Sequence, residues 1–271
     1  MRRFRFFTST LALASAASFA GAGGAAQTGS KLPPPGRAGR VKNAPAPAAA
    51  ALPVPFAAGE RLVYRVLWGP AEAATAQLEV LPHQLFPGDH AWHFQARAST
   101  IKTTRLLYQL DDQFDSYSET VGLESLQYEM YLREPAKHRD RIIRMNREGH
   151  PAPAEPSVRV PAGTRDPLGL IYALRAFDWA KSKEVKFPLY DGNKLYEIRA
   201  TQLAPGVKVA VPKGSFTASR IELRVFERDR ELPDARFWIL LAGDAAHTPV
   251  LIEAELPFGR LRVELVSTRT E

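Results

Sequence analysis

From Glu60 to the end of the chain, apolar and polar side chains alternate with period two, the pattern of strands with one buried and one wet face. Arg260-Leu-Arg-Val-Glu-Leu265 and Arg220-Ile-Glu-Leu-Arg-Val225 alternate without a break. Leu62/Tyr64/Val66/Trp68, Trp92/Phe94/Ala96/Ala98 and Tyr128/Met130/Leu132 each share a face, and Arg141/Ile143/Met145 does so less cleanly. Further runs at 73–81, 108–117, 184–190, 194–203, 206–212, 235–241 and 248–256 bring the total to about a dozen predicted strands. They are punctuated by Pro87-Gly-Asp89, Arg147-Glu-Gly149, Asp191-Gly-Asn193, Pro205-Gly206, Lys213-Gly-Ser215, Gly243-Asp244 and Pro257-Phe-Gly259. Asp191-Gly192 is the strongest hairpin signal, because both residues tolerate the positive φ of a type I′ turn.

One helix interrupts this pattern, over 166–177. Asp166 stands at its N-cap, Pro167 suits the first turn, and Leu170, Ile171 and Leu174 form its apolar stripe. A single helix cannot supply βαβ crossovers. The predicted fold is therefore mainly β: a large curved antiparallel sheet or partly open barrel, with this helix covering an opening or an end, and a two-sheet sandwich as the alternative. The Pro-rich piece 151–161 reads either as a subdomain boundary or as a long loop within one continuous sheet.

The first 55 residues follow different rules. Arg2, Arg3 and Arg5 precede an uncharged run from Phe6 to Ala20, the pattern of a secretory signal, with small residues placing cleavage after Ala20 or Ala26. That run is too short to span a bilayer comfortably, so no stable transmembrane span is expected after cleavage. Residues 27–55 are rich in Pro and Ala without apolar periodicity and read as a disordered linker. The predicted organisation is a signal peptide at 1–26, a linker at 27–55 and a single β-rich domain at 56–271, exported to the periplasm or cell envelope.

Charge and composition narrow the function. The net charge of +7 comes wholly from residues 1–55, which carry seven basic and no acidic side chains, leaving 29 of each sign in the remainder. That balance argues against a nucleic-acid footprint on the folded part. The chain has no cysteine, which excludes disulfides, thiolate metal sites, a cysteine nucleophile and a lipidated cysteine. No G-x-S-x-G, H-E-x-x-H, Walker or EF-hand pattern occurs, and Gly21-Ala-Gly-Gly-Ala-Ala26 lacks the strand and distal acid of a dinucleotide fingerprint.

Weaker candidates remain. Asp111-Asp112-Gln-Phe-Asp115 has magnesium-chelating spacing, but on a strand it reads as solvated or arginine-paired carboxylates. His90 and His93, beside His83, have metal-ligand spacing, yet i and i+3 on a strand point to opposite faces. His138 reads as part of a solvated hairpin end, and His150 and His247 as loop residues. No catalytic residue, metal or cofactor is assigned. The aromatic set Trp68, Trp92, Phe94, Tyr128 and Trp238 is placed on inward faces, where core packing is the default and the lining of an apolar-ligand cavity the second reading.

Several stretches together resemble an exported bacterial family of unknown activity, domain of unknown function 3108. They are Leu62-Val-Tyr-Arg-Val-Leu-Trp-Gly69, Asp112-Gln-Phe-Asp-Ser-Tyr117, Asp166-Pro-Leu-Gly-Leu-Ile-Tyr-Ala-Leu-Arg175, Asp191-Gly-Asn-Lys-Leu-Tyr196, Val211-Pro-Lys-Gly-Ser-Phe-Thr-Ala-Ser-Arg220, Arg236-Phe-Trp238, Pro249-Val-Leu-Ile252 and Leu256-Pro-Phe-Gly259. The resemblance spans roughly 56–271 and departs at 70–75, where a glycine is expected after the first Trp-Gly. It implies an exported β-rich envelope protein and supplies no catalytic residues. The expected function is non-enzymatic, holding an apolar ligand such as a lipid chain in the curved sheet under a helical lid. Alternatives are an interaction module engaging a cell-wall or outer-membrane partner, and a hydrolase with a loop-built site.

Overall fold

The computed structural model describes residues 53–270 except 87–88, 136, 150–152, 154–155 and 258, so the predicted signal and nearly all of the linker lie outside the described residues. In chain order the elements are β1 (Glu60–Trp68), β2 (Ala71–Phe86), β3 (Asp89–Thr100), the one-turn α1 (Lys102–Arg105), β4 (Asp111–Glu119), β5 (Ser125–Glu134), β6 (Lys137–Arg147) and β7 (Val158–Val160). Then follow α2 (Pro167–Ala176), β8 (Glu184–Tyr190), β9 (Leu195–Val211), β10 (Gly214–Glu227), β11 (Arg230–Ala242), β12 (Pro249–Leu256) and β13 (Gly259–Thr270).

All 13 strands belong to one sheet, in the order β7-β6-β5-β4-β3-β2-β1-β13-β12-β11-β10-β9-β8. Each half is a run of hairpins, and the halves join where β1 pairs with β13. Pairing is antiparallel throughout except between β6 and β7, where Met145 lies beside Val158 in a parallel pair. β7 lies within the Pro-rich piece and pairs with β6, so the described part of that piece joins the same sheet.

The segment leading into α2 links β5, in one half of the sheet, to β8 at the edge of the other half. Ser125 N–H donates to Thr164 O, Arg165 N–H donates to Pro188 O, and Tyr190 N–H donates back to Arg165 O. One short segment therefore satisfies backbone groups at the start of β5 and along β8, and the sheet curls into a nearly closed barrel.

The sequence pattern finds most strands but misreads one turn. Pro205-Gly206, read as a break, lies inside the 17-residue β9. Ala204 faces Arg220 while Val207 faces Ala218, so two residues are accommodated opposite Ser219 as a bulge. Proline lacks an N–H to give to the ladder, which a bulge tolerates.

The predicted helix forms as α2, buried from Pro167 to Arg175, with its cap held by β4 and β5 and Tyr172 stacked on Phe94 of β3. Asp166 Oδ1 accepts from the N–H groups of Leu168 and Gly169, both at 2.9 Å, while Oδ2 accepts from the hydroxyls of Ser116 (2.5 Å) and Ser125 (2.6 Å). The cap thereby ties the helix start to β4 and β5. A Cβ on Gly169 would sit 3.0 Å from Ser125 Oγ and 3.2 Å from Ser116 Oγ, so the approach of helix to strands requires glycine. At the other end, fully buried Arg175 makes paired bonds of 2.6 and 2.7 Å to Glu60 at the start of β1.

Candidate functional site

Of the five aromatic residues read as a cavity lining, Phe94 and Tyr128 are buried on the inner wall. Phe94 stacks on Tyr172 of α2 with centroids 3.7 Å apart and planes 7° apart, so the helix itself covers that face. Trp92 packs edge-on against Phe56 (5.2 Å) and beside His83 (4.0 Å). Trp68 is half-buried, its indole beside Gly259. Trp238 is on the outer face: its neighbours Phe237 and Ile239 are fully buried, its cross-strand partners are Glu222 and Glu253, and the Arg220 guanidinium lies 5.1 Å from its ring. The five therefore do not converge.

The chemistry gathers instead on the outside of β3, β4 and β5. A cleft of about 540 Å³ is lined there by His93 and Gln95 from β3, Asp111, Gln113, Asp115 and Tyr117 from β4, and Glu129, Tyr131 and Arg133 from β5. Register creates it: His93 stands opposite Tyr117, Gln95 opposite Asp115, Asp115 opposite Glu129, and Gln113 opposite Tyr131. Successive outward positions on β4 and β5 repeat one pattern, Gln113-x-Asp115-x-Tyr117 and Gln127-x-Glu129-x-Tyr131.

Two carboxylates placed opposite each other repel unless donors surround them. Asp115 Oδ1 accepts from His93 Nε2 (2.7 Å) and Gln95 Nε2 (2.8 Å), and Oδ2 accepts from Gln113 (2.7 Å). Burial alone would push its pKa up, but these three donors prevail and hold it below the ordinary carboxylate range. An ionised Asp115 only accepts, so His93 Nε2 carries the proton. Glu129 takes Gln127 and the Tyr131 hydroxyl, each at 2.5 Å. Although they lie on the sheet's outer face, Asp115 and Glu129 are only 3% and 8% exposed.

Tyr117 lies face to face with the imidazole, centroids 4.4 Å apart, rather than presenting its hydroxyl to a ring nitrogen. Its pKa is pushed up to about 12 by burial and by the charges of Glu129 and Asp115, so the phenol stays protonated at neutral pH. The hydrogen bond to Glu129, with burial, raises Tyr131 as well. Among the described residues no group of three His or acidic side chains is placed to hold a metal. What the cleft offers is two buried carboxylates, phenol rings and a buried His93 Nδ1 without a partner among the described residues, a combination suited to binding.

The remaining candidates separate. Asp111 is bound by both Arg105 nitrogens (2.7 and 2.8 Å), a contact that lowers its pKa, while buried Asp112 accepts from the Arg133 N–H. The chelating spacing is thus split between the two faces of β4. His83 contacts Trp92 on the inner side and His93 belongs to the outer cleft, so the histidine group is split too. His138 is exposed, and His247 Nδ1 contacts the Arg175 carbonyl at 2.7 Å. His150 lies outside the described residues.

Fold and site together define a nearly closed, barrel-like sheet packed on one buried helix, with a polar outer cleft. The chain belongs to the family described as Protein of unknown function (DUF3108), which it matches over residues 63–266. It is similar in structure to a beta-barrel-like protein of the family DUF1849 from Brucella abortus, at 12% identity and TM-score 0.43, covering 78% of this chain and 97% of that one. A protein provisionally classed as a lipoprotein from Parabacteroides distasonis matches at 10% identity and TM-score 0.40, covering 81% and 100%. One provisionally classed as exported, with a YmcC-like fold, from Bacteroides fragilis matches at 10% identity and TM-score 0.39, covering 82% and 100%. No curated protein matches the chain. Among the described residues no helix is long and apolar enough to cross a membrane.

Proposed function

We propose that this chain is an exported, non-enzymatic envelope protein that binds a cell-wall or outer-membrane partner through the outer cleft of β3–β5. The observation that carries this reading is the burial of Asp115 and Glu129 on a face where solubility alone asks only for exposed polar groups. A pair of mutually opposed carboxylates, held ready by five donors, suits a partner rich in hydroxyl or amino groups, which can bridge both. The leader-like start of the chain supports export. Phe94, one of the residues read as lining an apolar cavity, is stacked against Tyr172 of α2, which weighs against an apolar ligand there.

The test is co-sedimentation of the full chain with purified peptidoglycan sacculi and, separately, with bead-bound outer-membrane proteins freed of lipid. The wild-type protein is expected to pellet with one of them, and the Asp115→Asn/Glu129→Gln variant to lose at least about tenfold in retention, as for truncated charge-assisted contacts. Equal retention of the two proteins, or a stoichiometric lipid adduct in native mass spectrometry, would overturn the reading.

A further inference from the structure

The loop between β3 and β4 presents two adjacent leucines to solvent at its apex. Leu106 is 87% and Leu107 90% exposed, more than any other large apolar side chain among the described residues. Their exposure is not the result of a slack loop. Leu107 N–H and Tyr108 N–H both donate to Thr104 O, at 3.0 and 2.8 Å, and Arg105 N–H donates to Ile101 O at 2.8 Å. At the base, Arg105 clamps Asp111, the Tyr108 hydroxyl donates to Glu134 at 2.6 Å, and Ile101 N–H donates to Ala73 O at 3.1 Å. The fold thus holds an apolar tip outward at a standing cost in hydration.

Size and charge decide what such a tip meets. A stable protein partner needs roughly 800 Å² from each side, far more than two side chains on one turn supply. A bilayer interface has no such threshold: a few aliphatic groups enter it, and basic neighbours add attraction to anionic headgroups. At the tip Lys102 is exposed, while the Arg105 guanidinium is held by Asp111.

We infer that the 101–110 tip docks the barrel onto an anionic lipid surface, with Leu106 and Leu107 inserted at the interface and Lys102 at headgroup level. Asp111 belongs both to the clamp on Arg105 and to the lining of the outer cleft, so docking sets the cleft beside the membrane. The inference is independent of the cleft's own ligand.

The absence of native cysteine allows a single label. The full chain carrying Leu107→Cys, labelled with an environment-sensitive nitrobenzoxadiazole dye, is mixed with vesicles of phosphatidylethanolamine and phosphatidylglycerol. A blue-shifted, brighter emission is expected. In parallel, Leu106→Ser/Leu107→Ser should partition onto the same vesicles at least about tenfold less than wild type, both chains keeping the same N-terminal segment. The exposure of both positions leaves folding intact, checked by an unchanged urea midpoint. An unshifted label, or equal partitioning, overturns the inference. A label that responds to a soluble envelope-protein extract and not to vesicles also overturns it, assigning the tip to a protein. Asp115→Asn/Glu129→Gln should leave vesicle partitioning unchanged while losing cleft binding, which keeps the two readings separable.

Discussion

Asp115 shows how a single side chain couples the cleft to acidity. Its folded pKa lies below the value of about 3.9 expected for an unfolded aspartate, so it contributes stability that is complete above that value and lost as pH falls through the folded one. Urea midpoints measured across this acid range should fall less steeply for Asp115→Asn than for wild type. Tyr172 offers the opposite kind of test. Its hydroxyl is buried with no partner among the described residues, so it bears a desolvation cost without a compensating bond. Tyr172→Phe should keep the stack on Phe94 and raise stability by about 1 kcal/mol, read from the same denaturation curves. The aromatic residues were legible as an inward set only in part. Trp238 breaks the rule because a large ring on an outer face can be covered by a guanidinium, here that of Arg220.

At the scale of the element, α2 is the centre of the fold's energetics. The start of this helix was written in Asp166-Pro167, but its surroundings were not. A stripe of Leu170, Ile171 and Leu174 describes a one-sided helix, whereas Tyr172, Ala173 and Arg175 are buried as well. A charged residue reads as solvent-facing until its partner is known, and Glu60 lies 115 positions away. Arg175→Ala leaves Glu60 buried and uncompensated, so it should cost about 3–5 kcal/mol in equilibrium unfolding, while a Glu60→Leu/Arg175→Leu double variant should cost less. The hairpin between β8 and β9 provides a second test. Gly192 has φ of +98°, and a Cβ there would lie 2.8 Å from the Met130 Cε and 2.9 Å from the Ile143 Cδ1. Gly192→Ala should therefore destabilise by about 1–3 kcal/mol, through backbone conformation and contact together.

For the molecule as a whole, the fold class was readable because period-two alternation survives along much of the sheet, as in β1, where buried and half-buried positions alternate from Glu60 to Leu67. The cleft was not, because it exists only once β3, β4 and β5 are in register. The repeated Gln-x-acid-x-Tyr of β4 and β5 was its one local trace. Solvent-facing polar residues on separate strands look alike whether or not they meet. The barrel's architecture also predicts how it fails. Ending the chain before Gly259 removes β13 and bares the facing edges of β1 and β12, and such a chain should aggregate rather than retain a smaller fold, as judged by its loss from the soluble fraction.

The seam between β1 and β13 also sets the molecule's schedule. Glu60 and Thr270 lie about 210 positions apart in the sequence, yet they are partners. At typical synthesis rates of about 5–20 residues per second, roughly 10–40 s separate the emergence of the two strands. Throughout that interval one rim of β1 has no neighbour, and closure waits for β13. A protein built this way stays threadable while it is being made, which is what passage through a membrane in extended form demands.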